Sequence, residues 1–331
     1  MQGDLLSGRI VIDCSIAPTM DEAQIDRMQR SGVTVFNWTV CEPWSGRERA
    51  LEEIAIGRAL IEADDRLALV TSADDIRAAH QSGQVGLIFG PQNSIPVEVI
   101  DRDLDVLHDA GVRILQLTYN EQNPYGSGCA VPEDGGVTDL GRELIREVEA
   151  RGIVLDLSHG GERTILEAIE ASEAPPIISH ANARAVYPSR RNATDDILHM
   201  LAERGGVIGM TLWSPMVGGG DRRPTVEDFL RHVEYVIDLI GVEHVGIGSD
   251  HSEGHPRNEW DQLFGRNGRY PGVTAQMGDW YGYDTRFVED GSSCLDLRGV
   301  AARLADLGLD GSELDGILGG NFLRVFENVW N

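Results

Sequence analysis

The chain has 331 residues, enough for one large α/β barrel or two smaller domains. Its 54 acidic residues outweigh 28 basic ones, giving a net charge of −26, and every basic residue is arginine. That balance excludes nucleic-acid binding, which needs a basic footprint, and no segment approaches the roughly 20 apolar residues of a membrane span. In chain order, residues 9–14 read as a first strand, closed by Ser15, Ile16, Ala17 and Pro18. A helix over 21–31 follows, then a second strand over 32–38 and an amphipathic helix over 48–64. Residues 67–70 form a short extra strand, and Ser72 opens a helix to His80. The third main strand, 84–90, runs out towards Gln92; a helix over 100–110 leads to the fourth, 112–118, which ends at Tyr119. A glycine-rich loop then reaches Gly136, followed by a helix to Arg151.

Next come two matched units. Residues 152–157 and 175–178 are short apolar runs bounded by glycine or proline, the signature of strands buried on both faces. Each ends in Ser-His, at Ser158-His159 and Ser179-His180, with a helix over 162–172 between them. The seventh strand, 205–212, ends at Trp213; a helix over 225–240, capped by Thr225, leads to the eighth, 244–250. An irregular segment over 251–291 precedes helices at 296–307, 312–318 and 321–330.

Eight alternating units predict a (β/α)₈ TIM barrel of the α/β class, a single domain over 1–331. Its active site is expected at the carboxyl ends of the strands, which read Ser15, Trp38, Gln92, Tyr119, His159, His180, Trp213 and Asp250. Two imidazoles on adjacent strands point to a metal site or an acid–base pair. Metal-dependent hydrolases on this fold place His and carboxylate ligands at such ends. Here the second half of the barrel supplies them and the first half offers only neutral groups.

The motifs at 111–120, 155–159, 178–180, 189–192, 246–250 and 319–326 resemble, in order and spacing, the renal (membrane) dipeptidase family. The resemblance runs from about residue 9 to the C-terminus. It implies a barrel with two zinc ions bridged by a glutamate, hydrolysing small dipeptides. It also implies that His159 and His180 are metal ligands, that Arg191 holds the substrate carboxylate, and that Asp250 lies near the substrate amine and the attacking water. The chain departs from the pattern elsewhere. The family's first-strand His-x-Asp falls at Ser15 and Ala17, its bridging glutamate at Gln92, and its substrate-contacting histidine at Tyr119. Two zinc ions roughly 4 Å apart repel strongly without an anionic bridge.

The expectation is therefore a metallohydrolase with one divalent ion, zinc, on His159 and His180. Asp250 serves as base, and Arg191, Tyr119 and Gln92 contact the substrate, a small dipeptide, amide or amino-acid derivative. A metal-free lyase or isomerase using His159, His180 and Asp250 is one alternative; a non-catalytic small-molecule binder is another. Cys14 is expected to be packed and inert, and Asp13 and Asp156 to serve structural hydrogen bonds. The aromatics of 251–291 mark a lid over or beside the mouth, or a contact between copies in a homo-oligomer. His251, His255 and Trp280 join the site on this reading. Trp260, Trp280, Tyr281 and Tyr283 beside Asp250 suit a cationic group, so a zwitterionic ligand is expected. With no visible leader and no Cys-x-x-Cys among Cys14, Cys41, Cys129 and Cys294, the expected setting is the cytoplasm. The acidity reads as adaptation to salt.

Overall fold

The computed structural model describes residues 5–330. Residues 1–4, on which the reading of a missing leader partly rests, lie outside them. Among the described residues nine strands form one all-parallel sheet: β1 Ile12–Ile16, β2 Val35–Trp38, β3 Leu67–Leu69, β4 Val85–Phe89, β5 Ile114–Gln116, β6 Val154–Asp156, β7 Ile177–Ala181, β8 Val207–Met210 and β9 Val245–Ile247. Their order is β3-β4-β2-β1-β9-β8-β7-β6-β5. The ring closes between β4 and β5, where Phe89 bridges Val112 and the Arg113 N–H donates to the Phe89 carbonyl at 3.1 Å. β3 occupies the same edge of β4 nearer its start, so it is the extra strand expected at 67–70 and stays outside the eight-stranded ring. The fold is a (β/α)₈ barrel.

The alternation of each strand divides the apolar residues between two cores. Ile12, Cys14, Val35, Ile88, Ile114, Val154, Ile177 and Val207 form one buried cluster with Phe322 and Phe326 of the final helix, Asn321–Val329. That helix plugs the end of the barrel remote from the site, and Gly246 admits it: a Cβ there would lie 2.4 Å from the Phe322 ring. Cys14 is a filler of this core, and burial pushes its thiol well above the usual range. The residues between them, such as Phe36, Leu87, Leu115 and Ile208, pack against the surrounding helices.

The segment after β9 is more ordered than its sequence suggests. It contains helices Arg257–Phe264 and Pro271–Thr274 and a turn at Tyr283–Thr285. Only Trp260 is buried on the first of these helices, so no apolar period announces it. Among the described residues no helix is long and apolar enough to cross a membrane.

Candidate active site

His159 and His180 are brought together as their strand positions require. Their Nε2 atoms lie 2.8 Å apart. His159 Nδ1 meets the Asn120 side-chain oxygen Oδ1 at 2.7 Å, and His180 Nδ1 meets the Ser179 hydroxyl at 2.8 Å. Burial is the first cause pushing both rings well below the usual histidine range, with the Arg191 charge adding to it, so both are neutral. The backbone takes a left-handed conformation at His159 (φ 66°) and again at Asp250 (φ 63°). Each kink ends a strand and aims a side chain into the same cavity.

That cavity holds about 430 Å³, within the range of small-molecule sites. Its barrel side carries Trp38, Gln92, Tyr119, Asn120, His159, Arg191, Trp213 and Asp250; the segment after β9 supplies Ser252, His255, Glu259, Trp260, Phe264 and Tyr270. Arg191 is only 5% exposed. Among the described residues its guanidinium makes one hydrogen bond, to the His180 carbonyl at 3.3 Å, and no ion pair with a carboxylate. A buried guanidinium that makes no direct ion pair among the described residues, and feels Asp250 only through space, is a ready receptor for an anion. Burial pushes the Asp250 carboxyl up to about 7, against the pull of Arg191. Tyr119 stacks on His159 with ring centroids 4.1 Å apart, and Gln92 donates to the Ser15 hydroxyl at 3.3 Å.

Three expectations need correction. Trp280 is not a wall of the cavity: its indole N–H donates to the Gly220 carbonyl at 2.8 Å, and its ring meets Tyr281 edge-on. His251 is buried away from the cavity against Phe287, with Nε2 on the Gly291 carbonyl. Of the four aromatics expected to meet the ligand, only Trp260 lines the pocket; Tyr281 and Tyr283 pack behind it. The aromatic walls come instead from Trp38, Trp44, Tyr119, Trp213, Phe264 and Tyr270. His255 does line the cavity, with Nε2 on the Ala17 carbonyl. Asn120 was missed, although its place directly after the strand-end Tyr119 was a signal.

The donor set can be tested against a metal. The two imidazole Nε2 atoms, once free of protons and parted from 2.8 Å to roughly 3.3 Å, would hold one divalent ion, with water completing its shell. They do not fit two. Among the described residues no group of three His, Cys, Asp or Glu side chains converges, and Ser15 and Gln92 are neutral.

A barrel with paired imidazoles, a poised carboxylate and a buried arginine at one mouth has the equipment of a small-molecule hydrolase. Residues 11–290 match the family model described as membrane dipeptidase, peptidase family M19, and the chain belongs to that family. It is 31% identical over 215 residues to dipeptidase tcpJ of Claviceps purpurea, covering 64% of this chain and 50% of that one. It is 28% identical over 291 residues to a protein from the pqqA 5′ region of Klebsiella pneumoniae, covering 84% and 95%. The crystal structure of an amidohydrolase from Pseudomonas aeruginosa superimposes with TM-score 0.89 at 28% identity, over 98% of each chain. The chain spans about half the length of the curated fungal dipeptidases it matches.

Proposed function

We propose that this dipeptidase-like hydrolase cleaves a small zwitterionic amide or amino-acid derivative with one zinc ion, and that ordinary dipeptides are poor substrates. The reading is supported by one observation: His159, Arg191 and Asp250 line a single cavity, and His180 lies against His159 and Arg191. Arg191 anchors a carboxylate through its fork of N–H donors. That anchor sets the distance at which the scissile carbonyl meets the paired histidines. Asp250, half ionised near neutral pH, takes the proton of the attacking water and returns it to the leaving amine. When bound, zinc supplies Lewis-acid polarisation of the carbonyl. Trp213, Trp260 and Tyr270 exclude bulk water from the mouth, which strengthens these charges.

Ordinary dipeptides should turn over slowly because one charged stabiliser is missing, a loss worth several kcal/mol of barrier. A panel of dipeptides and N-acyl amino acids assayed with added zinc tests this. Dipeptide kcat/KM above roughly 10⁴ M⁻¹s⁻¹, in the usual enzyme range, contradicts it. A second reading, metal-free acid–base catalysis by His159, His180 and Asp250, draws support from the lack of a third His, Cys, Asp or Glu ligand among the described residues. Activity that survives exhaustive chelation would favour it. Four free, buried cysteines accord with a reducing cytoplasm.

A further inference from the structure

We infer that Asp156 and Ser179 are positioning residues: a carboxylate–hydroxyl relay that fixes His180 with its proton on Nδ1 and its Nε2 bare towards His159. The directions of the hydrogen bonds follow from counting protons. Asp156 Oδ1 accepts the backbone N–H groups of Ser158 and Ser179, each at 2.9 Å. Its Oδ2 takes the Ser179 hydroxyl at 2.6 Å. A serine has one hydroxyl proton, and this one is spent on Asp156. The 2.8 Å contact between Ser179 and His180 Nδ1 therefore has the imidazole as donor. Ser158 completes the arrangement: its hydroxyl accepts the His180 backbone N–H at 3.0 Å and gives its own proton to Ser179, also at 3.0 Å. Three hydrogen bonds, from the Ser158 and Ser179 backbone N–H groups and the Ser179 hydroxyl, oppose the rise that burial imposes on the Asp156 carboxyl.

His159 reaches the same state by another route, donating from Nδ1 to the Asn120 oxygen. With both Nδ1 atoms protonated, the two Nε2 lone pairs, 2.8 Å apart at hydrogen-bond distance, repel each other, and they must part to roughly 3.3 Å for a tetrahedral cation to be held by both. The relay makes that arrangement obligatory on the His180 side.

The first strand carries an internal control. Asp13 accepts the Ser15 and Ser249 backbone N–H groups at 3.4 and 2.8 Å and also the Ser249 hydroxyl. The frame is the same, and no imidazole takes up the Ser249 hydroxyl. Strand-end packing alone thus explains an Asp–Ser contact; it does not explain a histidine completing one.

The test uses the full-length protein with ¹⁵N-labelled histidine, whose long-range ¹⁵N–¹H correlations report the tautomer, and zinc titration calorimetry. The wild type should show His180 protonated on Nδ1. In Asp156→Asn the new amide donates to Ser179, the hydroxyl turns to His180, and the proton moves to Nε2; this is the logic by which an Asp→Asn change imposes the wrong tautomer on a catalytic histidine elsewhere. Zinc affinity should fall about 10- to 100-fold, the usual cost of losing such a partner. Ser179→Ala should populate both tautomers, and Asp13→Asn should leave His180 unchanged. Nε2 protonation in the wild type would put the proton on Asp156 and overturn the relay. So would a folded Asp156→Asn protein with the wild-type tautomer and zinc affinity within about twofold of the parent, against that expected loss. Should Asp156→Asn fail to fold, Ser179→Ala decides by the same two readouts. The role rests on reading His180 as facing a cation, but the two can fail separately. A wild type that binds no zinc sinks the metallohydrolase reading, while the tautomer still judges the relay.

Discussion

His159 and His180 touch through Nε2 at 2.8 Å, yet only His159 lines the cavity, and His180 lies fully buried behind it. A cation held between them would therefore have one face on the substrate and the other sealed by protein. On the one-metal reading proposed above, a second tightly held ion is not expected. Elemental analysis of protein grown with added zinc should give at most one ion per chain, and His180→Ala should give close to none. Two ions per chain would refute the one-metal reading.

Asp250 gives the site a pH dependence with a definite sign. Its carboxyl is raised to about 7, so the base form appears only as pH climbs through that value. Below it kcat/KM should rise about tenfold per unit and then level off, and Asp250→Asn should cost about 10²- to 10⁴-fold. Stability runs the other way. A carboxyl raised above its unfolded value contributes stability that is complete below about pH 4 and lost as pH rises through 7. At about 1.4 kcal/mol per unit over about three units, the loss relative to Asp250→Asn is on the order of 4 kcal/mol. Melting curves of both proteins at pH 5 and pH 8 test it. A gap that does not widen with pH counts against the assignment.

Arg191 should decide which ligands bind. Losing hydrogen bonds to a charged group costs about 1.5–3 kcal/mol, so Arg191→Ala should weaken zwitterions roughly 10- to 150-fold. Thermal-shift screening of zwitterions against anionic and neutral analogues reads this directly. Unchanged binding to the Arg191 variant, or equal stabilisation by neutral ligands, would discard the zwitterion pocket.

The acidic surface predicts a salt response. Single arginines are shared among several carboxylates: Arg66 meets Glu22, Asp26 and Asp64, and Arg151 meets Asp101, Asp105 and Glu147. The unshared acids repel. Melting temperature should climb as salt rises from about 0.01 M to about 1 M, where the Debye length falls from roughly 30 Å to 3 Å. A flat curve would mean that the acidity is not a salt adaptation.

The barrel was legible because each strand is a short apolar run with an end marked by a polar or aromatic residue, and the two Ser-His ends located the paired imidazoles. The orientation of the later aromatics was not. Trp260 and Trp280 stand in equally polar stretches, and only the tertiary contact of Trp280 with Gly220 turns it away from the cavity. Asp156 was read as structural because sequence shows its spacing to Ser158 but not the direction in which Ser179 spends its proton.

The left-handed backbone at His159 and Asp250 bears on whether this pocket still works for its living. Such a conformation costs an ordinary residue roughly 1–2 kcal/mol, and glycine escapes most of that. Three non-glycine residues in the described chain adopt it, and two of them are His159 and Asp250. A lineage that kept this barrel only as an inert scaffold would gain by drifting to glycine at both places. At both places the chain instead carries a side chain that the turn directs into the cavity.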